Sequence, residues 1–518
     1  MGLHDSPTLG SQILRALSRY PERTAFASES GDLTYRGARE LIGRMQKVFV
    51  DLGLPPGTTV AILSSNRADA WCAYAAALLC RFNTTWLHPQ GSFADHLFQL
   101  DDSDARILVV DAVKYSERGG ELSVQAAGLQ TTFTLGGTEF GLDLSTAAAQ
   151  VGTATAVSLA QMDDRATLAY TGGTTGRPKG VLRYHREMAH YASSTLVNFA
   201  LPTCPNYLAV GPISHVAGIK VIPTLMLGGT VHLAQGFDPE QTLSTIERRN
   251  INLALLVPTM IYTLLDHPAL AKTDTSSLEL VLYGASPMAP GRLREGIDRF
   301  GNVFSQLYGQ TECYPITVLT REDHDPNNPH MLSSCGQPAV GCDVRILDDN
   351  LQEVEVGESG EICVRAPQVL AEYWRQPEQT AEATSGGWLH TGDIARADDQ
   401  GYLYLLDRKK DVIVTGGYNV FPKEVEDVLS SHRDVAMVAV VGVPHEKWGE
   451  AVTAVVVPRP NSTIDSEELI ALVKRHKGSV HAPKNVEVVS ALPRTSVGKI
   501  DKRALKETFW KDHDRMIG

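Results

Sequence analysis

Tyr170-Thr-Gly-Gly-Thr-Thr-Gly-Arg-Pro-Lys-Gly-Val181 is the stretch on which the reading of this chain turns. It follows a short apolar run, Ala166–Tyr170, and so lies just beyond a predicted strand. Gly172, Gly173 and Gly176 let backbone N–H groups approach an anion closely. Thr171, Thr174 and Thr175 add hydroxyl donors, and Lys179 adds a positive charge. The combination suits a polyphosphate. It is not a Walker A loop, because Arg177 rather than Lys-Ser/Thr follows Gly176. Taken alone, the same residues could form an ordinary Gly-rich surface turn.

The rest of the composition narrows the field. A chain of 518 residues exceeds a single ordinary core and implies several domains. The net charge of −13 argues against a nucleic-acid binder, which needs clustered Lys and Arg. The 7 cysteines are scattered with no CxxC pair, so neither a zinc site nor a disulfide framework is signalled, and a reducing cytoplasm is expected. No basic start followed by an apolar run marks a signal peptide. Trp71–Cys80 is the most apolar segment but reaches only about half of a ~20-residue membrane span. It reads as a buried helix, with no transmembrane segment expected. Monomer and homodimer both stay open.

Working outward from the loop, the N-terminal stretch alternates helical and apolar strand patterns, with strands at Thr59–Leu63 and Ala105–Val110. Residues 142–165 read as a loose connection. A second α/β stretch has strands at Tyr207–Val210, Leu253–Val257 and Leu278–Tyr283, and a helix Pro239–Arg249 capped by Asp238. From Cys342 short strands between Gly- and Asp-rich turns predict a β-rich subdomain. After Asp407-Arg-Lys-Lys410 a compact α+β pattern begins: helix Pro422–Ser430, strands Val435–Val441 and Ala451–Val457, helix Ser466–Lys477 and strand Val486–Val489. The expected architecture is α/β. Residues 1–407 form two α/β subdomains plus a β-rich one, and 408–518 form a small mobile α+β domain.

The Gly-Thr loop resembles the phosphate loop of the adenylate-forming superfamily, which contains acyl-CoA synthetases, aryl-CoA ligases, luciferases and peptide-synthetase adenylation domains. One position departs, since that family carries Ser where this chain has Gly172. Tyr308-Gly309-Gln-Thr311-Glu312 matches its aromatic-Gly-x-Thr-Glu motif. An aromatic ring can stack on adenine, a Thr hydroxyl can reach the α-phosphate and a carboxylate can hold Mg²⁺. Gly284-Ala285-Ser286-Pro resembles the adenine-binding turn, and Trp388-Leu-His-Thr-Gly-Asp393 the segment whose aspartate holds the ribose hydroxyls. Arg408 matches a second ribose-contacting residue. Pro-Ile-Ser-His215 resembles the motif whose histidine lies beside the reacting carboxylate, and Pro-Arg-Thr-Ser-Val-Gly-Lys499 the motif carrying the adenylation lysine. The resemblance spans nearly the whole chain, with the motifs in family order.

The resemblance implies two half-reactions: acid and MgATP give acyl-AMP and pyrophosphate, then a nucleophile displaces AMP. Lys499, His215, Thr311 and Glu312 would be catalytic, with Glu312 the metal ligand. Lys410 would be the hinge about which the C-terminal domain turns between steps. Gly416 and Gly417 would line a pantetheine tunnel, and Trp448 could stack on the adenine of coenzyme A or belong to a core. Ser479-Val-His-Ala-Pro-Lys484 lacks part of the family's basic pattern, which predicts a reduced cationic surface for coenzyme A phosphates. An amine acceptor, giving an amide, therefore stays open, as does a degenerate nucleotide-binding regulatory module. That last reading predicts loss of Lys499, Glu312 or Asp393, and all are present. A luciferase-like oxygenase is a more distant possibility. The acyl pocket is expected at His215, Val216, Lys220, Val221 and Gly309. No aspartate stands where amino-acid-activating relatives carry one, so an α-amino acid is not expected. Fatty, aromatic and polycyclic acids stay open. Lys220 is either a lysine snorkelling from a helix edge or a contact for a polar group on the acid.

Overall fold

The computed structural model describes residues 7–29, 31–171, 178–445, 447–460, 462–494 and 500–510. Thr59–Leu63 and Ala105–Asp111 are apolar and buried almost throughout, as strands covered on both faces must be. They pair in parallel at the centre of an eight-stranded sheet. At one side of that sheet Arg165–Thr171 and Lys179–Tyr184 form an antiparallel pair in which Thr171 faces Lys179. The Gly-Thr loop is thus the connection of a hairpin. Gly172, Gly173, Thr174, Thr175 and Gly176 themselves lie outside the described residues.

A second sheet of nine strands is built from Asn206–Ala209, Thr230–Leu233, Leu253–Leu256, Leu280–Gly284 and Phe304–Tyr308, flanked by shorter strands. Its far side is completed by Thr24–Ala27, which pairs in parallel with Thr230–Leu233. The two sheets are therefore interleaved in sequence rather than consecutive. Between them runs the helix Ala68–Leu79, buried at every residue from Ala70 to Leu79. A helix apolar on all sides belongs in a core. This one packs in a single cluster with residues of both sheets, among them Val60, Ile107, Tyr207 and Leu253.

The third sheet is antiparallel and holds Asp343–Leu347, Gly360–Arg365, Leu389–Ala397 and Leu403–Arg408. The fourth holds Tyr418–Val420, Ile413–Thr415, Gly449–Pro458, Val435–His445 and Asn485–Val488. It packs its own apolar cluster against helices Pro422–Ser430 and Ser466–Lys477. The fold is thus the expected α/β class, a large N-terminal region followed by a small C-terminal domain. One expectation fails. Residues 142–165 are not all loose: Leu144–Gln150 is a helix, capped by the Asp143 carboxylate on the N–H groups of Ser145 and Thr146. Its core contact is only Leu144 and Ala148, too short a stripe to show as periodicity. Among the described residues no helix is long and apolar enough to cross a membrane.

Asn66, just past the strand Thr59–Leu63, ties the two large sheets together. Its amide nitrogen donates to the carbonyls of Ala209 at 3.2 Å, Gly211 at 2.9 Å and Ala234 at 2.9 Å. Its oxygen accepts from the N–H of Ile213 at 2.8 Å. Removing the amide orphans several buried backbone groups, each worth about 1–3 kcal/mol. Asn66→Ala is expected to lower the apparent melting temperature of the purified protein by several degrees; an unchanged melting curve would contradict the bracing role.

Candidate active site

Three of the motifs stand at the C-terminal ends of the parallel strands Asn206–Ala209, Leu280–Gly284 and Phe304–Tyr308, those of His215, Gly284 and Tyr308, which is where open α/β sheets bind ligands. Strand Phe304–Tyr308 delivers Tyr308, and strand Leu389–Ala397 delivers Asp393. The Tyr308 hydroxyl donates to Asp393 Oδ2 at 2.7 Å, and Gln310 Nε2 donates to the same oxygen at 2.8 Å. Arg408 faces Asp393 across adjacent strands, with its Nε 3.3 Å from Oδ1. Burial and the neighbouring carboxylate hold the Tyr308 phenol well above its usual range, so it stays a donor. Gln310 was the unassigned position of its motif, yet it orients the carboxylate. Glu361 braces the same segment from behind, accepting from the Gly392 N–H at 2.9 Å and lying 3.2 Å from His390 Nδ1.

Gly284 ends its strand where a Cβ would stand 2.3 Å from the Leu307 carbonyl oxygen. Ala285 follows at φ +66°, a left-handed conformation costly for alanine. Such local strain is over-represented at functional turns, and Ser286 follows it directly.

Glu312 and Lys179 converge on one ring. The Tyr373 hydroxyl donates to Glu312 Oε1 at 2.8 Å, and Lys179 Nζ sits 5.2 Å from the Tyr373 ring centroid. Tyr373 reaches them because Glu372–Tyr373 pairs with Lys179–Tyr184. No signal in the sequence linked Tyr373 to either residue. The loop's lysine and the motif's carboxylate therefore both lie against Tyr373. Thr311 is tied in by its carbonyl, which accepts from the Tyr191 hydroxyl at 3.2 Å. At Gly309 a Cβ would stand 3.0 Å from the Cys313 carbonyl oxygen, so a side chain there would press on this turn.

The Asn66-anchored turn presents His215. A Cβ on Gly218 would lie 1.8 Å from the Ile213 carbonyl oxygen, so that turn too requires glycine. The His215 ring meets His88 edge-on, with centroids 4.3 Å apart, and its Nδ1 lies 2.9 Å from Ser214 Oγ. Burial, reinforced by His88, pushes the His215 pKa down to about 3, which keeps the ring neutral at physiological pH. Val216 is partly buried beside it and Val221 fully buried. Lys220 does not snorkel. It is 1% exposed, and its Nζ donates to the Tyr314 hydroxyl. Residues 216–220, which follow His215, form a turn and a 3₁₀ segment rather than a regular helix.

In the C-terminal domain Gly416 and Gly417 both have positive φ, +57° and +84°. The Gly416 N–H donates to the Trp448 carbonyl at 2.8 Å, which brings the glycine loop against Trp448. Trp448 is not a core residue: it is partly exposed and stacks on His445, with centroids 4.2 Å apart at 26°. Lys484 and Lys447 place Nζ 5.3 Å and 5.6 Å from its ring. Lys447 thus joins Lys484 beside the ring. Lys410 is exposed, and desolvation by the protein around it, with Arg408 and Lys506 nearby, lowers its pKa. Lys499 lies outside the described residues.

A family profile described as AMP-binding enzyme matches residues 13–374, and one described as AMP-binding enzyme C-terminal domain matches residues 424–499. The chain is 42% identical to a medium/long-chain-fatty-acid–CoA ligase, FadD8 of Mycobacterium tuberculosis, over 99% of this chain and 92% of that one. It is 34% identical to a feruloyl-CoA synthase of Amycolatopsis sp over 97% and 99% of the two chains. Among solved structures it resembles the amide bond synthetase McbA from Marinactinospora thermotolerans (TM-score 0.89, 32% identity, 96% and 99% covered). It also resembles ATP-bound MatB from Rhodopseudomonas palustris (TM-score 0.87, 29% identity, 98% and 100% covered). With both of its parts matched and relatives alike over nearly their whole length, the chain belongs to the AMP-binding, adenylate-forming enzyme family.

Proposed function

We propose that the protein is an AMP-forming acid–CoA ligase that activates a carboxylic acid with ATP and passes the acyl group to coenzyme A. The observation that carries the acceptor is the platform on the C-terminal domain, where Trp448 lies between Lys447 and Lys484 and against Gly416. An adenine stacks on such a ring while the lysines meet its phosphates. A small amine needs neither. The likeness to McbA keeps amide formation as the competing outcome.

In the first step the acid's carboxylate oxygen attacks the α-phosphorus of ATP, and the bond from that phosphorus to pyrophosphate breaks. Two anions must meet, and their repulsion at 4 Å is about 4 kcal/mol at an effective dielectric of ~20. Lys499 would cancel it by contacting both the carboxylate and the α-phosphate. Neutral His215 offers an N–H to the carboxylate without the full positive charge that would hold the ground state back. Asp393, oriented by Tyr308 and Gln310 and flanked by Arg408, would take the ribose hydroxyls. The Gly284–Ser286 turn would border the adenine, and Lys179, Thr171 and the loop glycines the phosphates.

Glu312 fits a magnesium ligand. Tyr373 orients one carboxylate oxygen, and the other has no hydrogen-bond partner among the described residues. Mg²⁺ commonly uses one or two carboxylates plus substrate phosphates, and when bound it neutralises phosphate charge.

In the second step the thiol sulfur attacks the acyl carbonyl, and the carbon–oxygen bond to AMP breaks. The domain boundary at 407–408 and a hinge at Lys410 would let the C-terminal domain bring Lys499 for one step and the Gly416–Trp448 face for the other. Two substitutions should therefore separate the steps. Lys499→Ala is expected to slow acid-dependent ATP–pyrophosphate exchange by about 10²–10³-fold while supplied acyl-AMP is still converted to thioester. Trp448→Ala should do the reverse, sparing exchange and raising KM for coenzyme A about 5- to 100-fold, from the ~1–3 kcal/mol of base–aromatic stacking. Equal losses in both half-reactions would refute the division of labour. An amide formed from added amine, with no thioester, would replace coenzyme A as the acceptor.

A further inference from the structure

Lys220 is a buried lysine whose surroundings do not account for its charge. It is 1% exposed, and among the described residues no carboxylate pairs with it. Its Nζ has one hydrogen-bond partner, the Tyr314 hydroxyl, and lies 4.5 Å and 4.7 Å from the ring centroids of Phe199 and Tyr314. Taking an ammonium out of water without a counter-ion costs several kcal/mol, and burial accordingly drives this amine's pKa well below its usual value. A methionine would fill such a place at no electrostatic cost.

The amine is wired to the reactive end of the site. Tyr314 stacks on Tyr191, with centroids 5.8 Å apart at 29°, and the Tyr191 hydroxyl holds the Thr311 carbonyl. Tyr314 itself stands two residues after Glu312. In the other direction the chain runs from His215 through Gly218–Lys220 into the helix Val221–Met226. Lys220 follows His215 by five residues, through a turn and the 3₁₀ segment Gly218–Lys220, so both lie on one short stretch of chain. An acid whose carboxylate lies at His215 would therefore extend its remote end towards Lys220.

We infer that Lys220 is a specificity-determining residue that selects carboxylic acids carrying a second oxygen acceptor, a ketone or a second carboxylate, near the end remote from the reacting carboxylate. This rests on the acid-activating function proposed above. The distal oxygen takes the amine's hydrogen bond from Tyr314 or adds to it. It adds an oxygen acceptor beyond the Tyr314 hydroxyl, the amine's one hydrogen-bond partner among the described residues. An acid with a plain hydrocarbon end leaves the amine with Tyr314 alone. A site built around a buried polar group discriminates most strongly against ligands that cannot pair with it.

The test compares octanoate, 7-oxooctanoate and octanedioate by pyrophosphate release with ATP, in the wild type, Lys220→Met and Lys220→Gln. The wild type is expected to favour one or both oxygenated acids over octanoate by at least tenfold in kcat/KM, mostly through KM. Lys220→Met should collapse that ratio towards unity. Lys220→Gln keeps a donor and loses the charge. It should retain a preference for the oxo acid if the distal group is neutral, and lose a preference for the diacid if it is anionic. Should Lys220→Met fail to fold, the glutamine variant carries the comparison. No preference in the wild type, or the same ratio in wild type and variants, overturns the inference while leaving acid activation standing. No pyrophosphate from these or a broad panel of acids overturns the underlying function instead, and the inference with it.

Discussion

The chemistry assigned to this protein depends on two sheets meeting at a fixed distance, and the Asn66 amide fixes that meeting at its reactive end. One side chain bonds to Ala209, Gly211, Ile213 and Ala234, which belong to neighbouring segments of the second sheet and to the turn leading to His215. The apolar helix Ala68–Leu79 that follows Asn66 fills the space between the sheets. The hydrophobic contact supplies most of the attraction and is indifferent to register. The amide has directional partners and sets it. His215, the strand ends bearing Gly284 and Tyr308, and the wall bearing Lys220 all inherit their positions from that junction.

Around this frame the charges are distributed with a clear logic. Carboxylates that would meet sugar or metal are oriented by neutral donors, Tyr308 and Gln310 on Asp393 and Tyr373 on Glu312, and Asp393 also faces the Arg408 guanidinium at 3.3 Å. Neutral donors orient an anion without cancelling it, and the half-exposed Arg408 offsets only part of the Asp393 charge. Positive charge sits on Lys179 at the phosphate loop and, on the C-terminal domain, on Lys447 and Lys484 beside Trp448. An overall acidic protein thus keeps local cationic ground for polyphosphate substrates. The linker is charged as well. Asp407, buried among Glu426, Asp411 and Lys502, has its pKa raised to about 6, while Lys502 pairs with Glu426 at 2.8 Å. These bonds connect the last strand of the third sheet to the C-terminal domain.

Much of this was legible in the residues, and the reasons are local. Helices Pro422–Ser430 and Ser466–Lys477 begin and end where a leading proline, the Asp465 cap and Gly478 predict. The buried strands Thr59–Leu63 and Ala105–Asp111 announced themselves as apolar runs. What escaped was non-local. Thr24–Ala27 crosses to the far sheet through pairing with residues some two hundred positions away. Asn66, Gln310 and Tyr373 are ordinary polar residues whose importance comes from partners distant in sequence. For Lys220 the sequence left a snorkelling lysine and a contact for the acid both open, because a lone lysine in an apolar stretch suits either, and the turn and 3₁₀ segment before it carry no helical period from which burial could be read.

The central claim is that an oxygen of the acid itself attacks the α-phosphorus of ATP. The most direct measurement supplies an acid labelled in its carboxylate with oxygen-18, together with ATP and coenzyme A, and reads the products by mass spectrometry. The account predicts one labelled oxygen in AMP, unlabelled pyrophosphate and a thioester that keeps the other label. Label in inorganic phosphate with ADP as the product, or AMP without label, would contradict it.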